Sequence, residues 1–166
     1  MKRILSITLS LVGALLLTAN LSSCGEQAQL DKAIAKYNAK MPQDAGGGMT
    51  IQQLTLSDTQ MVYECVQSEE QDSIAYMREH QEDLKNGVVQ NLVRNVNNEA
   101  FRELIQILVN TDRSLAYSIK GAKTGETLDI LVSKDELSDI LAGRIAATPA
   151  ATETSNDSTA TAPAKE

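Results

Sequence analysis

The chain has 166 residues, 15 basic against 22 acidic for a net charge of −7, with no tryptophan, one phenylalanine and two cysteines. That length permits one folded domain, and the acidic balance argues against nucleic acid or an anionic lipid surface as a partner of the folded part. So few large aromatic rings also exclude a stacking platform for bases or sugars.

Lys2 and Arg3 form a short positive start, and Ile4 to Thr18 form an apolar run of about 15 residues. This is the layout of a secretory signal, and the run falls short of the roughly 20 residues a membrane-spanning helix needs. Leu21-Ser22-Ser23-Cys24 follows at the right distance and resembles the lipobox of bacterial lipoproteins. The resemblance implies cleavage before Cys24, a diacylglyceryl thioether on its sulfur, and an acylated amine. The sulfur is the nucleophile that accepts the lipid, a role for which a serine hydroxyl is too weak. Each buried CH₂ adds about 0.8 kcal/mol, so two or three acyl chains anchor a protein stably where one does not. Gly25 stands where an aspartate would signal retention in the inner membrane, so the expected location is the outer membrane.

The residues from Cys24 onward number 143, with thirteen basic and 22 acidic side chains and a net charge of −9. With Cys24 committed to lipid, Cys65 has no partner for an internal disulfide. An unpaired thiol in an oxidising compartment is expected to be buried.

Residues 24–29 read as a polar tether and 30–144 as one α+β domain. Leu30, Ile34, Tyr37 and Met41 lie near helical spacing, and Pro42 stops that helix. Ala45-Gly46-Gly47-Gly48 reads as a flexible hinge. Met49 to Leu56 and Gln60 to Gln67 read as strands joined by a turn at Ser57-Asp58. In the second strand Met61, Tyr63 and Cys65 share the core face, while Val62, Glu64 and Val66 share the other.

Glu69, Glu70 and Asp72 form an acidic loop, and Asp72 or Ser73 can cap the following helix. That helix carries Ile74, Met77, Leu84, Val88 and Leu92 on one stripe, with Asn86-Gly87 as its expected break. Asn97 or Asn98 caps a further helix through Phe101, Leu104, Ile105 and Leu108, which ends at Asn110 to Arg113. Leu115, Tyr117 and Ile119, a turn at Gly121 to Gly125, and Leu128, Ile130 and Val132 predict a second hairpin. Ser133-Lys134-Asp135-Glu136 has the form of a capping box and opens a last helix through Leu141, ended by Gly143.

The predicted order is therefore α-ββ-αα-ββ-α: two hairpins in one four-stranded antiparallel sheet, with helices mainly on one face. Residues 145–166 are rich in Ala, Thr, Ser and Pro, bury too little apolar surface to offset ordering, and are expected to be disordered. Within them Asp157-Ser158-Thr159 resembles the acceptor of a bacterial periplasmic O-glycosylation system, which makes Ser158 a candidate site. Asp72-Ser73-Ile74 fits the same pattern.

No catalytic constellation emerges. Cys65 lies among Glu64, Glu69 and Glu70, which raise rather than lower a thiol pKa. His80 is the only histidine and sits at the edge of the apolar stripe without the second histidine of a zinc protease. The carboxylates at 69, 70 and 72 and at 79, 82 and 83 read as solvated, and no metal site or cofactor is expected. Gly46-Gly47-Gly48 does not join a strand to a helix as a phosphate cradle does. The stretch from Leu30 to Leu141 resembles small secreted lipoprotein domains in its Met41-Pro42-loop-strand start and its Phe101 helix leading into Leu115 to Ile119. That resemblance implies no activity. The expected function is a non-enzymatic, lipid-anchored envelope module, held in the bilayer through Cys24 and binding or supporting an envelope protein. The alternatives are a hydrolase assembled from scattered Ser, Asp and Tyr residues, and a small-ligand carrier.

Overall fold

The computed structural model describes residues 25–70 and 72–147. In chain order these form α1 (Glu26–Asn38), β1 (Gln43–Gly46), β2 (Met49–Leu56), β3 (Gln60–Gln67), α2 (Ile74–Glu79), α3 (Gln81–Asn95), α4 (Glu99–Asn110), β4 (Ser114–Gly121), β5 (Thr127–Val132) and α5 (Lys134–Leu141). The strands make one five-stranded sheet in the order β1-β2-β3-β4-β5. Three neighbouring pairs are antiparallel, but β3 and β4 run parallel in continuous register from Gln60↔Ser114 to Gln67↔Gly121.

The expected four-stranded antiparallel sheet, and the element order given with it, are thereby corrected; the α+β class stands. Between β3 and β4 lie three helices, a connection long enough for the crossover that parallel strands require. After it the chain re-enters the sheet at the end where β3 began. Local alternation marks two hairpins but carries no information on how they meet.

The glycines of residues 46–48 are ordered. Gly46, Gly47 and Gly48 have φ of 81°, 63° and 79°, and they close a tight hairpin between β1 and β2 in which Gly46 pairs with Met49. Consecutive positive φ values are what a two-residue hairpin turn demands and glycine supplies without a steric penalty. A Cβ on Gly48 would also lie 2.6 Å from Ser68 Oγ. The expected hinge is a folded turn, and the fifth strand is its first arm.

The long helix breaks at His80, not at Asn86-Gly87. His80 leaves helical geometry at φ −110° and ψ 24°, whereas Gly87 lies within α3, where a Cβ would meet only open space. Helix α1 begins at Glu26, inside the stretch expected to be tether. The caps follow the sequence closely. Ser73 accepts from Tyr76 N, Asn98 accepts from Phe101 N, and Ser133 with Glu136 forms the full capping box. Helix α4 ends in a Schellman motif, Asp112 N–H to Val109 O and Arg113 N–H to Leu108 O, with Asp112 at φ 60° where glycine is usual.

All five described helices lie over one face of the sheet. Tyr63 and Tyr117, directly paired between β3 and β4, stack at 4.9 Å and 10° beneath them. Tyr37 of α1 meets Tyr63 edge-on at 5.9 Å and 85°. Around these rings pack Met61, Ile119 and Ile130 of the sheet with Leu30, Leu92, Ile105 and Leu108 of the helices.

Cys65 is buried in this layer, as its strand parity predicts. Burial first, and the nearby Glu64 carboxylate second, push its thiol up to about 12, so almost none is thiolate at neutral pH. A thiol reagent should label it only as fast as the domain unfolds. Rapid labelling of the native protein would contradict its placement.

Candidate functional site

Strand alternation sends every second side chain to the face opposite the helices, and there the register sets them in rows. The first row is Thr55, Val62, Ala116 and Leu131; the second is Gln53, Glu64, Ser118 and Asp129; the third is Thr50, Val66, Lys120 and Thr127. No described element covers these rows. Leu131 is 42% exposed, and with the half-buried Val62 and the buried Ala116 between them it makes an apolar row across three strands. Beside the strip, Glu64 accepts hydrogen bonds from Gln53 Nε2 at 2.7 Å and Thr55 Oγ1 at 3.2 Å. A fixed carboxylate thus borders a small apolar surface, a combination suited to binding another macromolecule.

The β5 edge is closed to further strand pairing. Arg78 Nη2 donates to Thr127 O at 3.1 Å and Gln81 Nε2 to Asp129 O at 2.9 Å, which occupies acceptors an added strand would use. The open surface is therefore the face of the sheet, not this edge.

Two groups at opposite ends of the sheet fix its frame. Glu69, at φ 58°, turns its carboxylate onto the β4–β5 turn and accepts from Lys123 N at 2.7 Å, Thr124 N at 2.8 Å and Thr124 Oγ1 at 2.8 Å. A Cβ on Gly121 would lie 2.6 Å from that carboxylate. Glu69 is thus a clasp and not one of a solvated group; Glu70 beside it is exposed. The Thr124 N–H, chiefly, holds the Glu69 carboxyl below the ordinary value of 4.5. A lowered folded pKa stabilises above the unfolded value, and the contribution is lost as pH falls through the folded one. Glu69→Gln should therefore flatten the loss of thermal stability between about pH 5 and pH 2. An unchanged pH profile would remove the clasp from the account.

At the other end Arg113, only 8% exposed, donates from Nε to Ser57 O at 2.9 Å and from Nη2 to Gln27 Oε1 at 2.8 Å. It ties the start of α1 to the β2–β3 turn. Its position beyond the end of α4 also sets its charge against the negative end of that helix. In the sequence Arg113 reads only as a helix end, because nothing in its neighbours marks an arginine for burial.

The remaining sequence candidates do not converge. His80 is exposed, its ring 4.4 Å from that of Tyr76 and its Nδ1 3.8 Å from the Asp83 carboxylate. Ser73 uses its hydroxyl as a helix cap. Burial raises the phenols of Tyr63 and Tyr117, and that of Tyr37 to about 12, so the core tyrosines stay neutral and serve packing. Among the described residues, no group of His, Cys, Asp and Glu is placed to hold a metal ion, and no helix is long and apolar enough to cross a membrane. Cys24 and Ser158 lie outside the described residues.

No family model matches the chain, and no curated protein matches its sequence. Two solved structures align with the chain. A secreted-protein candidate from Pseudomonas aeruginosa aligns over 70% of this chain and 99% of its own, with 13% identity and a TM-score of 0.54. The type II secretion system pilotin AspS from Vibrio cholerae aligns over 67% of this chain and 94% of its own, with 14% identity and a TM-score of 0.43. At this identity the first likeness shows a shared fold and nothing of activity, and the second is too loose to bear on function.

Proposed function

We propose that this protein is a non-enzymatic module of the bacterial cell envelope, anchored by lipid on Cys24 in the outer membrane, that holds an envelope protein against its open sheet face. The observation that carries the reading is the outward-facing apolar row of half-buried Val62, buried Ala116 and exposed Leu131, bordered by Glu64. Interior-facing positions of the sheet carry the large residues a core needs, and at the outward positions only solvent would be expected to select polar ones. Leu131, exposed in one row with the half-buried Val62, offers an apolar contact on that face. The charged side chains around it are mostly acidic, Glu64 and Asp129 against Lys120, which suits a partner surface with basic residues beside its apolar contact.

Leu131→Glu and Val62→Glu place carboxylates on this strip at positions that no described helix covers. Both variants should keep the wild-type melting temperature within a few degrees and lose the complex recovered from cross-linked cells. Retention of the complex by both folded variants would remove the sheet face as the binding surface.

A further inference from the structure

We infer that the end of the domain bearing the β2–β3 turn, the close of α4 and the start of α5 is the surface turned toward the bilayer, with the strands running along the membrane normal. This rests on the reading of Cys24 as the lipidated residue, and it adds an orientation that the reading itself does not contain.

Chain length is the first constraint. Three steps of chain lead from Cys24 to Gln27, and an extended chain spans at most ~3.6 Å per step, or about 11 Å. The second constraint is that Gln27 is not free to swing. Arg113 grips its side chain and the Ser57 carbonyl together, and Ser114 N–H bonds Thr59 O at 2.9 Å next to them. Further along α1, Leu30 is fully buried, and Asn38 both donates to Leu54 O and accepts from Leu54 N. A tether this short keeps the pole that carries Gln27 within about 11 Å of the anchor, and a helix held at its first turn, its middle and its end carries the rest of the domain with that pole.

Topology then decides which surface meets the lipid. β2 and β5 end at the pole where Gln27 is fastened, and β3 and β4 begin there. Its exposed residues include Ser57, Asp58, Thr59, Asp112 and Asp135, with Lys134 paired to Asp112. An acidic pole gains nothing from anionic lipid, so the fitting partner is a zwitterionic headgroup surface, approached because the anchor leaves no alternative. The opposite pole, with the Lys123–Thr124 turn clasped by Glu69, lies a strand length away, roughly 23 Å for eight residues. The open sheet face consequently stands upright, accessible from the side to another envelope protein.

The test uses the full lipidated protein extracted from cell envelopes and reconstituted into phosphatidylcholine vesicles containing a nitroxide-headgroup lipid. Cysteines are placed at Asp58→Cys or Lys123→Cys and labelled with a fluorophore. The buried, protonated Cys65 and the lipid-blocked Cys24 leave the introduced thiol as the reactive one. Quenching should be several-fold stronger at position 58 than at 123. Inserting ten Gly/Ser residues after Gly25, which adds roughly 17 Å of root-mean-square reach, should abolish the difference. If the protein floats with the vesicles but both sites are quenched equally, or 123 more strongly, the orientation is wrong while the anchor stands. If the protein does not float with the vesicles at all, anchor and orientation fall together.

Discussion

Tyr63→Ala should lower the stability of the domain by about 3–5 kcal/mol, the usual result of truncating a buried aromatic side chain. The ring is almost wholly enclosed, stacked on Tyr117 and met edge-on by Tyr37. Such aromatic pairs add about 0.5–1.5 kcal/mol beyond the area they bury. Domains of this size have only about 5–15 kcal/mol in total, so the variant should melt more than ten degrees lower or fail to accumulate. Leu131→Ala, which trims a half-exposed side chain on the other face of the same sheet, should cost much less. Equal effects at 63 and 131 would mean that the two faces of the sheet are not distinct environments, and the assignment of core and open face would fail.

Cys24→Ala should abolish incorporation of fatty acid, because the sulfur that accepts the lipid is gone. The variant should also keep its signal uncleaved by the lipoprotein peptidase, which acts on the lipidated cysteine. Full fatty-acid labelling of Cys24→Ala would remove the lipobox assignment, and with it the proposed location.

Much of the fold is legible in the sequence because it is written in local periodicities. The alternation of Met61, Tyr63 and Cys65 gives the correct core face of β3, and the pairs Asp72-Ser73 and Asn97-Asn98, with Ser133, announce three helix starts, of which the structure uses Ser73, Asn98 and Ser133. What local pattern does not encode is pairing between distant segments. Whether β4 lies antiparallel or parallel to β3 depends on where a connection of three helices returns the chain, and no residue in either strand records that. The glycines at 46–48 fail for a different reason. Their conformational freedom argues for disorder when taken alone, yet it is also what allows three successive positive φ values in a tight turn.

The candidate surface is half legible. Val62, Glu64 and Val66 are placed on the outer face by parity alone, but Leu131 breaks the polar pattern of Thr127 and Asp129, and only the register with Val62 and Ala116 shows that the break is part of a strip. Glu69 and Arg113 act across 50 or more residues of sequence. Their neighbours in the chain give no sign of it: one reads as a loop carboxylate, the other as the end of a helix.

The open sheet face as the working surface is tested most directly by placing a photo-cross-linking residue at Leu131 or at Glu79 in intact cells and identifying what each captures. Glu79, exposed on the helical layer, is the control. One discrete adduct with an envelope protein is expected from position 131, lost when Val62→Glu is added, and no such adduct from position 79. Capture of the same protein from position 79, or no adduct from 131 in folded, membrane-bound protein, would contradict it.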